Sequence, residues 1–329
     1  MARKLKGKTG IKGLKGSLLR HQAKEQFNAK LKKKQQHELN KGKPTKAAAK
    51  SRANQEKSGL QFIPFDKNST LLLVGEGDFS FARSILQADY ILPENLIVTS
   101  YDASIAELNL KYPHTFQENY DFLIDQGVKI FFRIDATNFL KSFKLTKKTP
   151  WTKILGPEWH HKYLQNIMFN FPHTGRGIKD QDRNIREHQE LMFGYFNSCK
   201  QLFQLVNNDP KKTSAKQYTA GYSLSPDGKD NGLAENGLGK VIVSLFTGEP
   251  YDSWQIKVLA KNSGWKIERS NKFQWDQYPE YHHKRTNSEQ DTTKPAKERD
   301  ARVYVLEAFN KNKHVQSKKK QTDSDNEFD

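Results

Sequence analysis

The 329 residues carry 55 Lys and Arg against 37 Asp and Glu, a formal charge of +18. This length suits one α/β domain of ordinary size with tails, and the single cysteine, Cys199, excludes an internal disulfide framework and points to a reducing compartment. No apolar run reaches the length of a membrane span, and the opening ARKLKGKTG lacks the apolar centre of a signal peptide, so a soluble intracellular protein is expected.

The charge is concentrated at the start. Residues 1–58 contain 18 Lys and Arg and three Asp and Glu, +15 of the total +18, so the remainder is nearly neutral. The composition predicts a disordered tail that meets a polyanion by counterion release, with Lys32, Lys33 and Lys34 as RNA contacts. Its Lys-rich start also suits a nuclear address. From residue 59 the pattern becomes that of a folded domain ending near 309. Residues 71–74 (LLLV) form a continuous apolar run, as in a strand buried on both faces. A glycine turn follows, then a helix over 79–88 with Asp78 as a possible N-cap. Strands are predicted at 96–101, 128–134, 166–171, 240–247, 265–273 and 301–309, with helices at 104–112, 117–126, 185–206 and 253–263. Cys199 falls on the apolar stripe of the 185–206 helix and reads as core. Residues 207–239, rich in Asn, Asp, Gly and Ser, read as a mobile surface insertion, and 310–329 as a polar tail.

Alternation of strand and helix argues for a mostly parallel α/β sheet, here seven-stranded, Rossmann-like, with helices on both faces and an antiparallel last strand. Ligands bind such sheets beyond the C-terminal strand ends, where this sequence places its polar residues. After the first strand, Gly75-Glu76-Gly77-Asp78-Phe79-Ser80 approximates a dinucleotide fingerprint, but Glu76 and Asp78 would repel a pyrophosphate. A ligand with cationic groups and no phosphate, such as S-adenosylmethionine, fits the two acids better. Asp102, after the second strand, can accept from ribose hydroxyls. Asp135 can accept from an adenine amino group, while Ala136 offers its backbone N–H. Each of these acids could equally be a helix cap.

The fourth strand ends in Asn170-Phe171-Pro172-His173. A polar acceptor, a ring and a proline here resemble the N/D-P-P-Y/F motif of methyltransferases acting on nitrogen in planar rings. Asn170 Oδ1, with a backbone carbonyl of Phe171 or Pro172, could orient a planar N–H and draw off its proton; His173 could stack on a base or take a proton near neutral pH. Phe171, Trp151 and Trp159 are candidates for holding a base, with core packing the commoner role of such rings.

Together, GEGDFSF, Tyr101-Asp102, Asp135-Ala136-Thr137 and Phe169–His173 resemble the eukaryotic, in particular fungal, large-subunit rRNA (uridine-N3)-methyltransferases over roughly residues 59–309. The resemblance implies a class I Rossmann-like methyltransferase fold, S-adenosylmethionine as methyl donor, rRNA as substrate and the nucleolus as location. Two positions depart from the wider class pattern. Leu73 stands where an acid is common and Phe79 where a third glycine is, which leaves Glu76 and Asp78 as alternative partners of the methionine ammonium. A second RNA contact is expected at Tyr281, His282, Lys284 and Arg285, where aromatic, histidine and basic residues mix. The pairs His160-His161 and His282-His283 lack companion ligands, so no metal is expected, and the chain is expected to be monomeric. On residues alone, two other readings stay open: an RNA-binding ribosome-assembly factor without catalysis, and an NAD-dependent enzyme.

Overall fold

Residues 62–208, 233–234, 237–284, 286 and 299–309 are described by the computed structural model. The basic segment 1–58 with Lys32, Lys33 and Lys34, most of the 207–239 insertion, Arg285, and the 310–329 tail lie outside the described residues.

Seven strands form one sheet: β1 (Leu71–Val74), β2 (Leu96–Thr99), β3 (Lys129–Phe131), β4 (Asn166–Asn170), β5 (Lys240–Phe246), β6 (Trp265–Lys272) and β7 (Ala301–Ala308). Their spatial order is β3-β2-β1-β4-β5-β7-β6. The first five pair in parallel, and β7 runs antiparallel to both β5 and β6. Alternation within β1 decides which face each residue feeds. Leu72 and Val74 join one hydrophobic cluster, while Leu71 and Leu73 join the other, and all four are buried. An apolar run without polar alternation is what burial on both faces requires.

Helices α1 (Ser80–Gln87), α2 (Ile105–Lys111) and α3 (Phe116–Asp125) lie on the Leu71/Leu73 side. Two short helices, α4 (Phe139–Ser142) and α5 (Trp151–Leu155), and the long α6 (Gln181–Asn207) cover the other face, and α7 (Ile256–Asn262) packs against α6 and β6. Cys199 is fully buried on α6, beside Tyr195.

The sequence pattern places the strands correctly but overextends β2 and β3, which end at Thr99 and Phe131. Residues beyond them turn into the site, where the chain leaves the ladder. Conversely, α6 begins at Gln181 rather than 185, because Asp180 caps it by accepting the Arg183 N–H at 2.8 Å. The stretch 253–263 divides into a 3₁₀ turn, Asp252–Trp254, and α7, since Gln255 adopts φ 51°. At the end of the 207–239 segment, Leu238 is buried, and a Cβ on Gly239 would lie 2.2 Å from the Gln165 carbonyl, so this end is packed into the domain.

Candidate active site

The chain leaves β1 toward β2 on one side and β4 toward β5 on the other, so a crevice opens at their C-terminal ends. Val74 pairs with Phe169, which brings the glycine loop beside the Asn170–His173 loop. The fit is close. Gly75 adopts φ +68°, and a Cβ there would sit 2.6 Å from the Phe169 ring; a Cβ on Gly77 would sit 3.0 Å from the Tyr112 hydroxyl. Glycine is needed at 75 both for conformation and for space.

The two acids of this loop have different fates. Asp78 Oδ1 accepts the Ser80 hydroxyl at 2.7 Å and the Ser80 N–H at 3.1 Å, while Oδ2 accepts the Thr115 hydroxyl at 3.0 Å. Its carbonyl accepts Asn119 Nδ2 at 2.8 Å. The Asp78 carboxylate therefore ties α1 to α3; the N-cap residue itself is Phe79, at φ 64°. The Phe79 ring is fully buried against Phe116, Tyr120 and Phe132, so the position lacking the third glycine serves the core. Glu76 is only 7% exposed, and its carboxylate accepts the Ala82 N–H. No cationic side chain pairs with it among the described residues. Burial first, and the Asp78 charge second, push its pKa up to about 8.

Asp102 lies past β2, half-buried, and is ion-paired with Lys111, which also meets Glu107 at 3.2 Å. Ser100 donates its hydroxyl to Asp102 Oδ2 at 3.3 Å. Asp135 Oδ1 accepts the Thr137 N–H and hydroxyl at 2.8 and 2.7 Å, which caps the turn that presents Ala136. Helix α6 approaches this turn through Gly194, where a Cβ would be 2.9 Å from Thr137.

On the β4 loop, Ser244 donates its hydroxyl to Asn170 Oδ1 at 2.7 Å, and Asn170 Nδ2 is buried with no acceptor among the described residues. Ser244 thus takes one of the two lone pairs of Asn170 Oδ1, the atom expected to act as acceptor. Phe171, at φ 46°, turns into an aromatic cluster, stacking on Trp275 at 5.4 Å and meeting Phe246 and His283. Pro172 is buried beside it. His173 Nδ1 accepts the Gly175 N–H at 2.9 Å, and its ring lies 4.7 Å from that of His188. Desolvation, then the His188 ring, lowers the His173 pKa to about 4, while the residue as a whole is exposed. His188 is fully buried, stacked on Trp254, with Nδ1 on the Asn184 carbonyl at 2.8 Å. Beside Asn184, a cleft of about 340 Å³ is lined by Ile178, Lys179, Gln181, Glu249 and Pro250.

Residues 281–284 and Thr286 lie beside both loops. His283 meets Phe171, and the Thr286 carbonyl accepts the Tyr112 hydroxyl at 3.2 Å, next to Gly77. Tyr281 is buried between Phe81 and Trp275 rather than open to RNA; its hydroxyl pKa is raised by burial and then by the charges of Glu76 and Asp78. His282 is exposed and Lys284 half-buried. Trp151 and Trp159 are buried in the core on the α6 side, where no base reaches them. Missed by the sequence reading were Ser244, Tyr112 and His188. Ser244 looks like any residue of an apolar strand, and its pairing with Asn170 exists only across the sheet. Among the described residues, no group of three or more His, Cys, Asp or Glu is placed to hold a metal, and no helix is long and apolar enough to cross a membrane.

A sheet in this order with β7 reversed, and a glycine loop with a buried acid at the β1–β4 crevice, define a Rossmann-like methyltransferase of class I. Such enzymes take their methyl group from S-adenosylmethionine, and an unpaired buried carboxyl suits its ammonium. A family model described as rRNA (uridine-N3-)-methyltransferase BTM5-like matches residues 72–285. The chain belongs to this BMT5-like family. It is 54% identical over 337 residues to the 25S rRNA (uridine(2634)-N(3))-methyltransferase of Saccharomyces cerevisiae, covering 99% of this chain and 100% of that one. It is also 28% identical over 195 residues to the human ferredoxin-fold anticodon-binding domain-containing protein 1, covering 59% of this chain and 24% of that protein. Among solved structures, a putative methyltransferase from Thermoplasma acidophilum aligns over 76% of each chain with 10% identity and a TM-score of 0.34. The fold class rests on the strand order, not on that likeness.

Proposed function

We propose that this protein transfers a methyl group from S-adenosylmethionine to N3 of a uridine in large-subunit rRNA, at the nucleotide equivalent to the one named for the yeast relative. The observation that supports it most is the adjacency of unpaired, buried Glu76 to the Asn170–His173 loop, in a chain that matches the yeast enzyme along its whole length.

In this reading Glu76, not Asp78, faces the methionine ammonium, because Asp78 is spent on Ser80 and Thr115. Gly75 and Gly77 let backbone approach the cofactor. Asp102 exchanges Lys111 for the ribose hydroxyls, and the Asp135–Ala136 turn borders the adenine. The cofactor supplies an electrophilic methyl; the protein orients the base. Because N3 lies on the pairing edge, the uridine must be unpaired or flipped out. His282, Lys284 and Arg285, with Lys32, Lys33 and Lys34 in the basic segment, contact RNA around it. The enzyme acts as a monomer on pre-ribosomal particles in the nucleolus. Mass spectrometry of rRNA nucleosides from cells with and without the protein tests the activity: 3-methyluridine disappears with the protein, and an unchanged level overturns the reading.

A further inference from the structure

The β4 loop presents hydrogen-bond donors. Ser244 is fully buried, and its hydroxyl proton finds its acceptor in Asn170 Oδ1. In the structure the Asn170 amide takes that proton on Oδ1, which turns Nδ2 away from Ser244. Nδ2 is then buried and without an acceptor among the described residues, which is costly unless a ligand completes it. At His173, Nδ1 accepts the Gly175 N–H, which leaves the neutral ring protonated at Nε2.

We infer that Asn170 Nδ2–H and His173 Nε2–H donate to the carbonyl oxygens of the target uracil, and so act as an oxyanion-type site rather than as a base. This deepens the function proposed above and rests on it. Uracil presents acceptor, donor, acceptor along O2, N3–H and O4. When the N3 proton leaves, the charge spreads onto O2 and O4, where N–H donors stabilise it most. The proton passes to water. The N3 electron pair forms the bond to the methyl carbon, and the pair of the breaking carbon–sulfur bond stays on sulfur. No protein base is consumed, in keeping with the low basicity of His173. The same donors select against cytosine, which turns an amino group toward one of them.

Full-length wild type, His173→Gln and His173→Glu are compared on a large-subunit rRNA transcript made in vitro. Glutamine retains an N–H near the Nε2 position; glutamate offers only acceptors. His173→Gln is expected within about tenfold of the wild-type rate and His173→Glu down by about 100-fold, both with wild-type affinity for S-adenosylmethionine. A transcript made with 5-fluorouridine, whose imide is more acidic, recovers at least about tenfold of the glutamate variant's loss. A His173→Glu rate equal to or above that of His173→Gln overturns the donor assignment. Absence of 3-methyluridine with wild type overturns the activity itself, whatever the variants do. If the variants do not fold, wild type decides on 2-thio- and 4-thiouridine transcripts. Slower methylation of at least one supports the donors, and equal rates on both overturn them.

Discussion

At Glu76, burial and an acidic neighbour raise the carboxyl pKa from 4.5 to about 8 on folding. The folded chain therefore holds this proton more tightly than the unfolded chain. Its contribution to stability is complete below about pH 4.5 and is lost as pH rises through about 8. Relative to Glu76→Gln, the melting temperature of the ligand-free protein should fall as pH rises across that window; parallel curves for the two proteins would refute it. Pairing with an ammonium needs the carboxylate, so S-adenosylmethionine affinity should rise with pH over the same range in wild type. Calorimetry in buffers of different ionisation enthalpy reads the accompanying proton release, which Glu76→Gln should lack. The sequence showed two acids in the glycine loop but could not rank them. The ranking depends on Ser80, Thr115 and Asn119, and two of these come from the distant α3 region.

Among the elements, α6 does more than cover the sheet. Its first turns carry Asn184 and His188, which underlie His173, and Gly194 lets it close on the Asp135–Thr137 turn. The start of the helix is set by Asp180, whose carboxylate accepts the Arg183 N–H. Asp180→Ala should cost about 1 kcal/mol in chemical denaturation, and no change in the unfolding midpoint would refute the cap. Strand positions were legible because buried parallel strands are continuous apolar runs. The aromatic cluster of Phe171, Trp275, Phe273 and Tyr281 was not legible as a unit. Phe171 and Tyr281 look like base or RNA contacts in sequence, and only the packing of the cluster shows that Tyr281 serves the core.

For the whole molecule, the described domain holds the crevice, and +15 of the charge lies in residues 1–58. Deleting residues 1–58 should weaken RNA binding and flatten its dependence on salt, because fewer counterions are released. Affinity for S-adenosylmethionine should stay nearly unchanged. Titrations of both ligands at several salt concentrations check this, and equal loss of both would refute the division of labour.

By itself, the sequence determined the sheet, the glycine loop and the charged segment, because apolar periodicity, glycine spacing and charge are local properties of the chain. Its motif residues also resembled the family to which the chain belongs. The hydrogen bonding of the Asn170–His173 loop was decided only in three dimensions. Asn170 Oδ1 accepts the hydroxyl of Ser244, a residue of the neighbouring strand that the motif does not contain. Likewise the lowered basicity of His173 comes from its surroundings in the fold, desolvation first and then the ring of His188. Hydrogen-bond direction and desolvation belong to the partners of a side chain, and strand pairing and loop packing bring those partners from elsewhere in the sequence.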